Sequence, residues 1–229
     1  MKRILAIETS AETCSVALDM HGELREKFEH APLKHAELIL PAVSSLLAEA
    51  GITAKDLDVI AFGRGPGSFT SLRIGIGVVQ GLAWGADVPV VPVSSLAAVA
   101  QAAFDSRQWP ASPPQIVVAM DARMQEVFHA TFTAGDDGIV SLAGEESVSA
   151  AAAVTVEEPW LAAGNGFERF EELRKLAQGA VCSLPDTWPR ASVVLKLARD
   201  WLRENKALSA GLAQPVYIRN NVAQKTVKT

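Results

Sequence analysis

The sequence is poor in cysteine and lacks a long apolar run at its start. Its two cysteines, Cys14 and Cys182, lie far apart and form no CxxC motif, so neither a disulfide framework nor a zinc site is expected. The apolar stretch 4–7 is interrupted by Glu8, which makes it far too short for a signal-peptide core or a membrane span. These absences predict a soluble, cytoplasmic protein that enters no membrane.

Clusters of positive charge are missing as well. The formal net charge is −5 at pH 7, and the only concentration of basic residues is a short tail with Lys225 and Lys228. A protein that binds a nucleic-acid backbone by itself needs a basic surface. Any role with nucleic acid is therefore expected to be indirect or shared with a partner. At 229 residues and 49% hydrophobic, the chain is long enough to bury a substantial core.

Apolar periodicity predicts a β-β-β-α-β-α-β-α order in the first half. The third strand, around Glu26, carries enough charge to lie towards a sheet edge. Pro41 is expected to kink the first helix, and Gly51 to end it. The predicted elements are strands near 4–7, 14–20 and 24–28, a helix over 33–50, a strand over 57–62, a helix over 70–84, a strand over 88–93 and a helix over 95–104.

The second half repeats this element order in a degraded form. Residues 105–114, with Pro110, Pro113 and Pro114, are the predicted boundary between a lobe over 1–105 and a lobe over 106–229. The last helix is a candidate to pack back on the first lobe. Two such lobes predict an α/β fold with a ligand cleft between them. The predicted elements are strands over 116–121, 126–133, 139–142 and 160–163 and helices over 167–176 and 191–204.

A glycine-rich turn lies between a predicted strand and the helix over 70–84. Gly65 and Gly67 would let a ligand approach the backbone, Ser68 can cap the helix, and a helix N-terminus favours an anion. No Lys-Ser or Lys-Thr pair follows, so the turn is not a Walker A loop. Two interpretations stay open: a phosphate site, or a tight strand-to-helix connection.

The helix after this turn is unusually rich in glycine, although each interior glycine costs about 1 kcal/mol relative to alanine. Gly77, Gly81 and Gly85 are spaced four residues apart and share one face, which permits close approach of another element. That element is either part of the chain's own fold or another subunit, and composition does not separate the two hypotheses.

Several motifs together resemble the TsaB (YeaZ) family. The likeness is distinctive over about the first 130 residues, and beyond them it rests on overall length and two short stretches. The stretches that carry it are 4–10, 14–18, His35, 65–70, 121–123 and 126–128, followed by 164–166 and 215–219.

The resemblance implies the two-lobed actin, sugar-kinase and Hsp70-like (ASKHA) fold and a role as a non-catalytic subunit. Members are paralogues of the catalytic subunit TsaD. They pair with TsaD and the ATPase TsaE in transferring threonylcarbamoyl to N6 of adenosine 37 in tRNAs that read ANN codons. A homodimer is expected when the chain is alone, tRNA is met only through the complex, and the implied partner interface comprises His35, Leu38, Ile39, Arg73, Gly77, Val78 and Gly81.

Two departures from active relatives limit the chemistry expected here. Ser95 and Val99 occupy the two positions of the HxxxH metal motif of TsaD-like proteins, and neither suits an iron or zinc site, so no metal is assigned. The first hairpin after Glu8 is acidic and poor in glycine, which makes it a weak phosphate cradle. No cofactor is required, and ATP or ADP binding is expected to be at most weak or vestigial, at the partner interface or at Thr9, Ser10, Gly65, Gly67 and Ser68.

The main alternative is an autonomous ATP-dependent small-molecule kinase of the same fold. Glu8 and Asp121 would be its carboxylates, but Asp121 is at least as well explained as an ion pair with Arg123. A metalloprotease has no chemical basis, because the chain has no HExxH or HxxxH motif.

Overall fold

The computed structural model describes residues 2–107 and 115–219. The first half consists of β1 (Ile4–Glu8), β2 (Thr13–Met20), β3 (Glu23–His30), α1 (His35–Glu49), β4 (Val59–Gly63), α2 (Phe69–Ala86), β5 (Val90–Val93) and α3 (Ser95–Asp105). The second half consists of β6 (Gln115–Asp121), β7 (Glu126–Ala134), β8 (Val140–Ala150), β9 (Trp160–Ala163), α4 (Gly166–Arg169), α5 (Glu171–Leu176), β10 (Cys182–Leu184) and α6 (Ala191–Glu204).

The two halves form two five-stranded sheets of the same topology. The first sheet has the order β3-β2-β1-β4-β5, and the second has the equivalent order β8-β7-β6-β9-β10. In each sheet the first three strands are antiparallel, and the last two join in parallel. The duplicated, two-lobed α/β fold predicted from the sequence is therefore confirmed. The charged strand β3 lies at the edge of its sheet, as predicted.

The second lobe is reduced mainly in its helices. A single 3-10 turn, Ala151–Ala153, stands where the first lobe has α1, and two short helices replace α2. The helix predicted over 167–176 is interrupted because Phe170 has an extended backbone, with φ −109° and ψ 129°. Strand β8 continues to Ala150, beyond the predicted strand over 139–142. The prediction ended too early because β8 is a largely exposed edge strand without a strong apolar pattern.

The sequence analysis missed one strand, and one of its predictions falls outside the described residues. β10 was not predicted, because a strand of three residues gives no readable periodicity. The proline-rich boundary with Pro110, Pro113 and Pro114 lies outside the described residues, so the division of the chain at 105/106 stays a prediction. No helix in the described part of the chain is both long and apolar enough to cross a membrane.

The helices and sheets alternate in layers because the central strands are buried on both faces. In β1, Ile4 and Ala6 join a core cluster shared with α3, α6 and the second sheet. The alternate residues Leu5 and Ile7 pack in a second cluster with α1 and α2. A third cluster, which includes Trp160, lies between the outer face of the second sheet and the short helices α4 and α5. The layer between the sheets therefore holds both lobes together.

Helix α1 is placed by its apolar stripe and ended by glycine. Ile39, Val43 and Leu46 are buried, while Pro41 lies within the helix on the exposed side. Gly51 has φ +68°, a conformation that glycine adopts without strain. Its backbone N–H donates to Ala48, which satisfies a carbonyl at the end of the helix. The predicted kink at Pro41 stays a prediction.

A half-buried carboxylate fastens α6 to the first sheet. Glu26, on β3, accepts hydrogen bonds from Ser15 Oγ at 2.8 Å, from Ser192 N at 3.1 Å and from Arg190 Nη2 at 2.7 Å. Burial alone would raise the pKa of Glu26, but the bonds from Arg190, Ser192 and Ser15 outweigh it and lower the pKa. Ser15 Oγ in turn accepts from the backbone N–H of Ala191 at the start of α6. Helix α6 is thus held on the first sheet.

We expect Glu26→Ala to lower the free energy of unfolding by about 2–3 kcal/mol, because it leaves the donors at the start of α6 without their charged acceptor. Because the pKa of Glu26 is lowered, this contribution is present above pH 4.5 and is lost as the pH falls through the folded-state pKa. Urea unfolding at pH 7 measures it. Glu23→Ala, whose exposed carboxylate pairs with Arg25 on the same strand, should cost about 0.5 kcal/mol or less; equal losses would contradict the proposed role of Glu26.

Candidate functional site: the cleft floor and an open helix face

The glycine-rich turn connects β4 to α2 and uses its backbone groups internally. Arg64 N donates to Val93 O at 2.8 Å, and Gly65 N donates to Ser95 Oγ at 3.3 Å. Ser68 N donates to Ser10 O at 2.8 Å. Three N–H groups that a phosphate could otherwise use therefore already have acceptors within the chain.

The glycines around this turn make room for the hairpin between β1 and β2. A Cβ at Gly63 would overlap the Glu8 carboxylate, and a Cβ at Gly67 would overlap the backbone of Ser10. Gly75, in the second turn of α2, faces the Thr9 hydroxyl in the same way. The absence of side chains at these glycines is therefore explained by close internal packing, and phosphate binding at the turn stays a prediction that this packing does not require.

Glu8 lies fully buried at the centre of this packing. Its Oε1 accepts from Ser10 N at 2.6 Å, and its Oε2 accepts from Ser95 Oγ at 2.9 Å. Burial raises the pKa of Glu8, and the hydrogen bonds from Ser10 and Ser95 only partly oppose it. Ser95, at one of the two metal-motif positions, is thus a hydrogen-bonding partner of Glu8, while Val99 at the other is buried in the core.

The predicted phosphate residues divide into two groups. Ser10, Gly67 and Ser68 line a cleft between the lobes, whereas Thr9 and Gly65 are buried beside it. Thr9 Oγ1 donates to Ser71 O at 3.0 Å, so its hydroxyl serves the connection between the hairpin and α2. Within residues 2–107 and 115–219, no group of three or more His, Cys, Asp or Glu side chains is arranged to hold a metal ion.

Four charged side chains join the lobes at the rim of the cleft. Glu12, from the first hairpin, pairs with Arg123 at 2.7 Å and with Arg169 at 2.6 Å. Asp121, at the end of β6, pairs with the same two arginines at 3.3 and 2.6 Å. Burial raises the pKa of Glu12, but Arg169 and Arg123 outweigh it and lower the pKa. Asp121 is therefore an ion-paired residue here, and sequence spacing gave no signal for its partner Arg169.

The glycine face of α2 is open. A Cβ added at Gly77, Gly81 or Gly85 would meet no atom of the described residues within 4 Å. Trp84 lies beside these glycines with 72% of its surface exposed. Packing of this face against the chain's own sheet or against α1 is therefore not observed among the described residues. Trp84 was not predicted as a site residue, although it follows Gly81 by three residues and so shares its face.

The predicted interface residues lie at different depths. Arg73 is exposed and Val78 is half-buried on α2, and Leu38 is half-buried on α1. His35 and Ile39 are buried, and His35 Nε2 lies 3.1 Å from Thr13 O. These two side chains hold α1 in place and do not themselves reach the surface of this chain, so a contribution to an interface would be indirect.

Comparison with protein families shows a match to a model described as TsaD: tRNA N6-adenosine threonylcarbamoyltransferase over residues 29–226. The chain is 38% identical to the tRNA threonylcarbamoyladenosine biosynthesis protein TsaB of Escherichia coli, with 97% of each chain covered. It is 36% identical to the protein of the same description from Haemophilus influenzae, with 97% of this chain and 95% of that one covered.

The solved structure of YeaZ from Pseudomonas aeruginosa is similar over nearly the whole fold. The TM-score is 0.87 at 39% sequence identity, and the alignment covers 95% of this chain and all of that one. The two-lobed arrangement is therefore shared with a protein of known structure.

We expect Glu8→Gln to fold, and we expect its free energy of unfolding to increase relative to that of wild type as the pH rises. Because the folded-state pKa of Glu8 is raised above 4.5, the folded wild type binds more protons than the unfolded chain, so its stability falls as the pH rises from 4.5 through that pKa. Glutamine keeps the shape without this ionisation. Thermal unfolding of both proteins from pH 4 to pH 8 measures the trend.

Glu12→Gln is the matched control on the same hairpin. The pKa of Glu12 is lowered, so its stabilising contribution is present above pH 4.5 and is lost as the pH falls through the folded-state pKa. Wild type should therefore exceed Glu12→Gln in stability at pH 7 and approach it in acid. Parallel trends for the two variants would contradict the assigned environments of these carboxyls.

Proposed function

The chain belongs to the TsaB (YeaZ) family, and from this premise we propose that it is a non-catalytic subunit that binds and activates a TsaD-like catalytic partner. The family takes part in tRNA threonylcarbamoyladenosine biosynthesis, which implies a TsaD-type partner. The reaction is the transfer of threonylcarbamoyl to N6 of adenosine 37 in tRNAs that read ANN codons. The protein acts in the cytoplasm, and a TsaE-like ATPase completes the assembly.

The open glycine face of α2 is the observation that carries the proposal. Three exposed glycines in one helix cost stability, and within the described residues no element packs there in return. A partner helix laid along Gly77, Gly81 and Gly85 would approach the backbone closely, as small-residue faces permit. Trp84, beside the glycines, would lose exposed apolar surface in the same contact. The face is therefore suited to binding another subunit.

The same surface supports a homodimer when the chain is alone. A two-fold interface uses the same patch on both copies, and a paralogue of similar fold would replace one copy in a quasi-symmetric way. The net charge of −5 gives little attraction for tRNA. Binding of tRNA therefore belongs to the complex and not to this subunit alone.

The geometry around Glu8 and Asp121 does not favour the autonomous kinase. Glu8 is buried and bonded to Ser10 and Ser95, and Asp121 is paired with Arg123 and Arg169. Neither carboxylate is free to hold magnesium or activate a hydroxyl. Phosphate transfer from ATP by the purified chain alone would overturn the proposal in favour of the kinase.

We expect Gly81→Arg to remain folded and to lose both self-association and binding to the TsaD-like partner. The arginine meets open space in the chain and improves helix propensity by up to about 1 kcal/mol, but it would occupy the space of a packed partner helix. Light scattering of the variant, alone and mixed with the partner, measures both losses.

Two variants control this experiment. Gly81→Ala adds a single methyl and should weaken association less than arginine does, while raising helix stability by about 1 kcal/mol. Glu172→Arg makes an exposed substitution on α5 in the second lobe and should leave association unchanged. Full association by Gly81→Arg, or equal loss in Glu172→Arg, would show that the glycine face is not the interface.

A further inference from the structure

The cleft between the lobes has the size of a small-molecule site. Its volume is about 700 Å³, within the range of pockets that enclose ligands of drug-like size. Its inner wall is apolar and includes Met120, Phe128 and Ile218. The open glycines Gly77 and Gly81 do not line this cavity, although His35 and Arg73 of the predicted interface do.

The charges at the cleft are balanced with one exception. Arg123 and Arg169 are neutralised by Glu12 and Asp121. Arg219, also in the lining, bonds to the Glu126 carboxylate and to the carbonyl of Ala122. Among the described residues, Arg73 is the one lining arginine without a carboxylate partner.

Arg73 is held in place by two aromatic rings at the mouth of the cleft. Its guanidinium lies 3.8 Å from the centroid of the Phe69 ring, and its Nε donates to Tyr217 Oη at 2.8 Å. The two rings lie 5.3 Å apart at a tilt of 34°. Phe69 is 49% exposed and Tyr217 is 45% exposed, so each presents free aromatic surface beside a positioned positive charge.

This arrangement does not suit a nucleoside triphosphate. Three to four negative charges would face a single uncompensated arginine, and the N–H groups of Arg64, Gly65 and Ser68 already donate to acceptors in the chain. An apolar wall, two half-exposed rings and one cation instead match an aromatic molecule with one negative charge.

We propose that the interlobe cleft binds a flat aromatic monoanion, with its acidic group on Arg73 and its rings against Phe69, Tyr217 and the apolar wall. The ligand class is a planar aromatic carboxylate or sulfonate. Arg73 is also a predicted interface residue, but the proposed ligand is held by side chains of this chain only, so its binding is tested on the chain alone.

Two fluorescent probes that share their rings and differ in charge test the proposal. 8-Anilinonaphthalene-1-sulfonate carries one negative charge, and N-phenyl-1-naphthylamine is its neutral counterpart. Titration of the full chain should give one binding site for each. Arg73→Gln should weaken binding of the sulfonate by about tenfold, which is about 1.4 kcal/mol, and change binding of the neutral probe by less than about twofold.

Further variants locate the probes. Ala11→Trp, which adds a large side chain to the cleft lining, should weaken both probes, and Arg203→Gln, on the exposed side of α6, should weaken neither. Thermal unfolding checks that each variant is folded. If Ala11→Trp does not fold, the effect of Arg73→Gln on the charged and neutral probes still tests the proposal. Equal effects of Arg73→Gln on the two probes, or displacement of the sulfonate by micromolar ATP, would overturn the proposal.

Discussion

The Glu8 carboxyl is buried where β1, the glycine-rich turn and the start of α3 meet. Its bonds to Ser10 N and Ser95 Oγ tie the first hairpin to the helix that follows β5. Gly63 must lack a side chain because the carboxyl occupies that space. The carboxyl, the first hairpin and the glycine-rich turn are thereby packed against one another.

The two lobes are held together by the layer of helices between their sheets. Helices α3 and α6 pack in one core with strands of both sheets, and Glu26 fixes the start of α6 on the first sheet. At the cleft rim, Glu12 reaches Arg123 and Arg169 of the second lobe. The first lobe is thus packed continuously from β1 to α2, and the outer face of α2 at Gly77, Gly81 and Gly85 is left open.

Much of this architecture can be predicted from local sequence, but the contacts at the candidate site cannot. Periodicity predicted nearly every element of the first lobe and the edge position of β3, because burial there is regular. It failed for β8, whose surface is mostly exposed, and at Phe170, where an extended residue divides one apolar pattern into two helices. The bond between Ser95 and Glu8 and the pairing of Glu12 with Arg169 join residues 87 and 157 positions apart, and spacing carries no signal for such contacts.

The most direct test of the account is threonylcarbamoyladenosine formation on tRNA by the reconstituted assembly, with each variant of this chain supplied in place of wild type. If the chain works through its α2 face and not through cleft chemistry, Glu8→Gln should support the reaction at a rate within about threefold of wild type, less than 1 kcal/mol in the barrier. Gly81→Arg should reduce the rate to that measured without this subunit. Loss of activity in Glu8→Gln with full activity in Gly81→Arg would contradict the account.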